Sequence, residues 1–90
     1  MYILASGKSM LPTLEDGKYY KIDNKTKGKY KVGDIIVYQV KGTVICHRIV
    51  KIYFTRSNKT FIKTKGDNCE KADAYAVTID DIIGKINIWS

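Results

Sequence analysis

The sequence predicts an all-β domain, and three observations predict it. β-branched and aromatic residues dominate short runs along the chain, the composition that suits a pleated, half-buried surface. Clusters of Gly, Asp, Asn and Lys punctuate those runs at intervals of about ten residues, a spacing typical of sandwiches and barrels. No segment sustains a helical period of apolar residues.

The first run is 18–23, KYYKID. The second, 35–40, opens with the apolar run Ile35-Ile36-Val37-Tyr38. The third, 44–53, reads VICHRIVKIY. Strict alternation places Ile45, His47, Ile49, Lys51 and Tyr53 on one face and Cys46, Arg48, Val50 and Ile52 on the other. Runs 60–64 and 82–88 complete the set, with a short turn at 78–81 before the last. The intervening turn signals are Lys27-Gly28, Gly33-Asp34, Lys41-Gly42, Ser57-Asn58 and Gly66-Asp67. In segment 24–31, lysines at positions 25, 27, 29 and 31 would share one face if the chain were extended there, a device that blunts a sheet edge.

Ninety residues, 44% of them hydrophobic, allow one domain with a small core. The expected organisation is a single catalytic domain over 1–90. No apolar run approaches the roughly 18 residues of a membrane helix, and MYILAS is too short for a signal-peptide core. The chain is therefore expected in the cytoplasm or peripheral to a membrane, unless it is a piece of an anchored enzyme. Two cysteines are too few for a disulfide framework; free thiols at Cys46 and Cys69 are expected, with a disulfide or a metal half-site as alternatives. The net charge of +7 is concentrated between positions 41 and 65, where no acid occurs. A solvated lysine surface accounts for it, as does an anionic partner such as nucleic acid or lipid. No base-reading motif accompanies the charge and the tyrosines, so a basic β-barrel that binds nucleic acid stands as a minor alternative.

Chemistry-bearing residues are few. Ser9 lies in SGKSMLPTLE between Gly7 and Pro12, the single proline. His47 is the single histidine. Asp67 and Asp73 lie in TKGDNCEKAD. A serine hydroxyl needs a base to take its proton, and a histidine base needs a partner that fixes its tautomer. As residue types alone this set is weak, since a loop serine and a packed histidine are the commoner occurrences. A metal site from Cys46, His47, Asp67 and Cys69 is disfavoured, because adjacent strand residues point apart and no Cys-x-x-Cys or His-x-x-x-His spacing occurs. No cofactor is expected.

The wording of the segments adds what the residue types lack. GKSMLPTL resembles the serine box of the type I signal peptidase family. GDIIVYQV resembles the strand that follows, CHRIVKI the base-bearing box, TKGDNCEKAD the Gly-Asp-Asn box, and IIGKI the closing strand. The five occur in family order over residues 6–86. The resemblance implies the small coiled, barrel-like antiparallel β domain shared by signal peptidases and the self-cleaving SOS-type repressors. It implies a serine endopeptidase that cleaves a leader or signal-type peptide, with Ser9 as nucleophile, His47 as general base and Asp73 as third member. Asp67 would orient or support, and Ser6 would join the Ser9 backbone N–H in an oxyanion hole. With histidine at the base position the chain resembles the Ser-His branch, and a minimal form without the usual anchor is the expectation. Cys69 after Asn68 departs from the family wording, and a catalytically inactive peptide-binding relative remains the alternative. Lys51, four residues from His47, lies roughly 13 Å along a strand, too far to replace it. The implied partners are a peptide or preprotein bound as an extended strand and a membrane or membrane-protein surface.

Overall fold

The computed structural model describes residues 1–25 and 28–88. Among them, seven strands form one sheet in the order β1-β2-β7-β3-β4-β5-β6, antiparallel at every pairing. The strands are β1 (Tyr2–Leu4), β2 (Tyr19–Asp23), β3 (Ile35–Val40), β4 (Thr43–Phe54), β5 (Thr60–Lys65), β6 (Val77–Thr78) and β7 (Ile82–Ile86). The all-β expectation holds. Two strands were not visible as sequence runs, β1 and β6, with three and two residues. The expected turn at 78–81 is a single 3₁₀ turn over Ile79–Asp81. The Asp81 carboxylate holds it, accepting from the Thr78 N–H and hydroxyl at 3.1 and 3.0 Å.

β3 organises the core because both its faces are covered. Ile35 and Val37 pack with Met10, Leu14, Ile22 and Ile86. Ile36 and Tyr38 pack with Ile49, Ile62, Val77 and Ile82. The unbroken apolar run in the sequence is this doubly buried strand. Lys41 and Gly42 both take positive φ, 49° and 82°, which suits the tight hairpin that joins β3 to β4.

Two expectations need correction. The alternation along β4 holds only as far as Ile49. Ile49 pairs with Thr64 while Lys51 pairs with Lys63, so Val50 is an extra residue, a β-bulge that reverses the faces beyond it. Ile52 thus joins the Ile45 and Ile49 cluster, and Lys51 leaves the His47 face. Segment 24–31 contains no strand among its described residues, so its lysines form no extended edge; Lys27 lies outside the described residues.

Candidate active site

The first sheet edge leads into the serine loop. Gly7 takes φ +94°, which glycine adopts without steric cost, and its N–H donates to Asp16 Oδ1 at 2.9 Å. The loop then buries Met10, 5% exposed, under itself, as a hydrophobic prop for the neighbouring serine. The turn after β5 supports the loop from the other side. The Asn68 N–H donates to the Ser9 carbonyl at 2.8 Å, and Asn68 Nδ2 donates to the Lys8 carbonyl at 3.0 Å. Gly66 is pressed against Ser9: a Cβ there would lie 2.6 Å from the Ser9 carbonyl oxygen and 3.1 Å from Ser9 Cβ. Its lack of a side chain permits the approach; no unusual φ is involved.

The structure brings Ser9, His47 and Asp73 into one string. Ser9 Oγ lies 3.1 Å from His47 Nε2, and His47 Nδ1 lies 2.7 Å from Asp73 Oδ2. The His47 and Asp73 side chains are only 12% and 16% exposed, so the pair is shielded but reachable. Asp73 sits on a loop folded back over β5. Its N–H donates to the Thr64 carbonyl at 2.8 Å, and Lys63 Nζ donates to its carbonyl at 2.7 Å. Burial alone would raise the Asp73 carboxyl. Hydrogen bonds from Thr64 and His47, with help from Tyr38, outweigh burial and hold it below the ordinary carboxylate value.

Asp67 takes a different place. It receives the Arg48 guanidinium, with Nε to Oδ1 at 2.9 Å and Nη2 to Oδ2 at 2.8 Å. Thr13 of the serine loop donates to the same carboxylate at 2.5 Å. The Arg48 bonds foremost, and then Thr13, hold its carboxyl below the ordinary value against the opposing effect of burial. Arg48 also donates from Nη1 to the Gly33 carbonyl at 2.7 Å. Asp67 thus ties the serine loop to the β4 strand and does not touch His47 in the hydrogen-bond pattern.

Ser6 is exposed on the loop and lines, with Ser9 and His47, a groove of about 320 Å³. Leu4 of β1 and Val44, Ile45 and Cys46 of β4 line it as well, with the buried side chains of Met10 and Leu14. Cys46 and Cys69 are both free thiols. Burial foremost, and then the nearby Asp67 charge, push the Cys46 thiol up to about 12, so it does not supply a thiolate near neutral pH. Among the described residues no three His, Cys, Asp or Glu side chains gather to hold a metal.

Sequence reasoning missed Thr64, Tyr38 and Tyr75 as polar neighbours of the site. Thr64 Oγ1 donates to Asp73 Oδ2 at 2.7 Å, and Tyr38 OH donates to the same oxygen at 3.3 Å. Tyr38 was expected to pack in the core. The available signal was that a buried tyrosine hydroxyl nearly always finds a partner.

The chain matches the family model described as Peptidase S24-like over residues 1–86. It belongs to the S24-like peptidase family. Among curated proteins it is similar to the signal peptidase complex catalytic subunit SEC11 of Debaryomyces hansenii, at 32% identity over 93% of this chain and 55% of that protein. It is similar to the subunits of the same name from Zygosaccharomyces rouxii and Saccharomyces cerevisiae. Each of these is 35% identical over 73% of this chain and 40% of the relative. The chain therefore spans about half the length, or less, of the curated relatives it matches. No solved structure matches it.

Proposed function

We propose that this protein is a serine endopeptidase of signal-peptidase type, working by Ser9, His47 and Asp73. The observation that carries the proposal is the continuous string from Ser9 Oγ to His47 Nε2 to Asp73 Oδ2, at 3.1 and 2.7 Å, with the groove opening on its serine end.

In the proposed reaction His47 Nε2 takes the Ser9 proton as Oγ attacks the scissile carbonyl carbon. The carbonyl π electrons move onto oxygen, where the Ser9 N–H and the Ser6 hydroxyl receive the charge. Collapse of the tetrahedral intermediate breaks the C–N bond, and the imidazolium returns its proton to the leaving amine. Water, deprotonated by the same nitrogen, then cleaves the Ser9 ester, and the proton goes back to Oγ. Asp73 supports the imidazolium at each charged stage.

The strand pairing supports an extended substrate. β1 is the last strand on its side of the sheet. β4 pairs with β5 only from Arg48 onward, so among the described residues Thr43–His47 has β3 on one side and a free edge on the other. Both edges border the groove, and a peptide adding to either gains main-chain hydrogen bonds with alternate side chains in the groove. The family analogy gives a leader or signal-type peptide with small residues before the cut.

The similar yeast proteins are named as subunits of a complex, and a membrane-protein or membrane partner is proposed here too. Tyr2, Leu4 and Tyr19, exposed at 66%, 47% and 65%, offer an apolar surface beside the groove for it. Among the described residues no helix is long and apolar enough to cross a membrane.

A peptide-library digest read by mass spectrometry tests the reading, with wild type beside Ser9→Ala and His47→Ala. Cleavage should fall by roughly 10⁴–10⁶ in each variant. Cleavage that persists in both would overturn it.

A further inference from the structure

We infer that Tyr75, Tyr38 and Thr64 form a one-way chain of hydroxyls that ends on Asp73 and fixes His47 as the tautomer protonated on Nδ1. The inference deepens the Ser9–His47–Asp73 reading and rests on it for the kinetic consequence.

Counting protons gives the direction. An ionised carboxylate only accepts, and a hydroxyl has one proton to give. The lowered Asp73 carboxyl is such an acceptor. Thr64, 0% exposed, lies 2.7 Å from Asp73 Oδ2 and spends its proton there. Its oxygen, 2.9 Å from Tyr38 OH, is then the acceptor in that contact. Tyr38, also 0% exposed, directs its proton at Thr64, with Asp73 Oδ2 at 3.3 Å as a weaker second acceptor. Tyr38 has nothing left to give Tyr75, 2.8 Å away, so Tyr75 donates. Burial raises both phenols, which keeps each one a proton donor. Hydroxyls aligned this way polarise one another toward the carboxylate.

The consequence lies at the imidazole. Asp73 Oδ2 has no proton to share, so its 2.7 Å contact with Nδ1 is an N–H donated by the ring. In a neutral imidazole the other nitrogen is then bare, and that nitrogen is the one 3.1 Å from Ser9 Oγ. A carboxylate free to rotate would not hold this arrangement. Thr64 grips Asp73 twice, through its hydroxyl and through its carbonyl, which accepts the Asp73 N–H at 2.8 Å. Thr64 is therefore a positioning residue for the base, and Tyr38 and Tyr75 orient Thr64.

Because His47 is the single histidine, nitrogen NMR of histidine-labelled protein reads the tautomer directly, without any substrate. Wild type should show a protonated Nδ1 and a bare Nε2. Thr64→Val, which keeps the β-branched shape, should give a mixture of tautomers. Its kcat should fall by about 10–100-fold, the scale of a misplaced catalytic group, with KM within about twofold. Thr64→Ser should restore both readings, and Tyr38→Phe should shift both in the same direction by less. A proton found on Nε2 in wild type overturns the inference. So does a Thr64→Val protein with the wild-type tautomer and kcat. Should Thr64→Val fail to fold, an unchanged tautomer in Tyr38→Phe overturns it. If the wild-type digest shows no cleavage, the peptidase reading falls and the tautomer spectra still decide this one.

Discussion

Asp67 and Asp73 leave the same loop and meet successive residues of one strand, Arg48 and His47, yet the two sites are built differently. Asp67 faces a permanent cation in a two-bond fork, 2.9 and 2.8 Å, a geometry that fixes both partners. Asp73 faces a ring that can gain and lose a proton, and its remaining support comes from neutral hydroxyls. The Asp67 pair is the more open, with side chains 31% and 18% exposed against 12% and 16% for His47 and Asp73. The difference fits the two tasks that the proposed mechanism gives them. A fixed opposite charge makes a strut between two segments, here the serine loop and β4. A cradle of hydroxyls holds a carboxylate in place while leaving its charge available to the neighbouring imidazole.

The sharpest way to break this contrast is Asp73→Asn. The amide can present an N–H where the carboxylate only accepted, so it favours the wrong His47 tautomer. Under the proposed mechanism kcat should fall by about 10⁴, with KM and the folded sheet little changed. Steady-state kinetics beside circular dichroism would show it. A loss below tenfold would mean that Asp73 has no more to do with the chemistry than Asp67 has.

Asp67→Asn should reverse the pattern, costing stability first. Hydrogen bonds to charged groups contribute about 1.5–3 kcal/mol, and partial exposure of the pair pulls the figure toward the lower end. A loss of about 2 kcal/mol corresponds to a fall in Tm of roughly 8–16 °C for a domain of this size. At a temperature where the variant is folded, its kcat should drop far less than that of Asp73→Asn. Thermal denaturation and kinetics on the same samples check both halves. Equal losses of activity in the two variants would erase the distinction.

Part of this contrast was legible in the sequence. The 35–40 run announced a strand and Lys41-Gly42 the turn after it, but that both faces of the strand are covered came only from the packing. β1 and β6 gave no signal because three and two residues are too few to show a period. The bulge at Val50 was hidden because alternation carries no mark of an inserted residue; pairing with β5 alone reveals it. Ser9, His47 and Asp73 were picked out by the wording of their segments, since as residue types they are ordinary. Thr64 and Tyr38 were out of reach for a different reason. They are 26 residues apart, and their contact depends on the register that carries β3 across β4 to β5. Gly66 read as a turn glycine, whereas its contribution is the space it leaves for Ser9.

The smallest expected effect is in pH, and it has the same sign for the two carboxylates. Both are lowered below the 3.8 of an unperturbed aspartate. A group whose folded value lies below its unfolded value stabilises the fold fully above the unfolded value. That contribution is lost as pH falls through the folded value. Wild type should therefore lose stability below about pH 4, and the gap between wild type and Asp67→Asn, full at neutral pH, should narrow through that window. At Asp67 the Arg48 bond is the largest influence and lowers the carboxyl. At Asp73 burial is the largest influence and opposes the lowering. The pH-dependent part of the gap should thus run the same way for Asp73→Asn, with burial rather than an ion pair as the leading influence. Denaturant midpoints from about pH 2 to pH 7 for the three proteins test this. A gap for Asp67→Asn that stays constant across the range would mean that its charge contributes nothing to the strut.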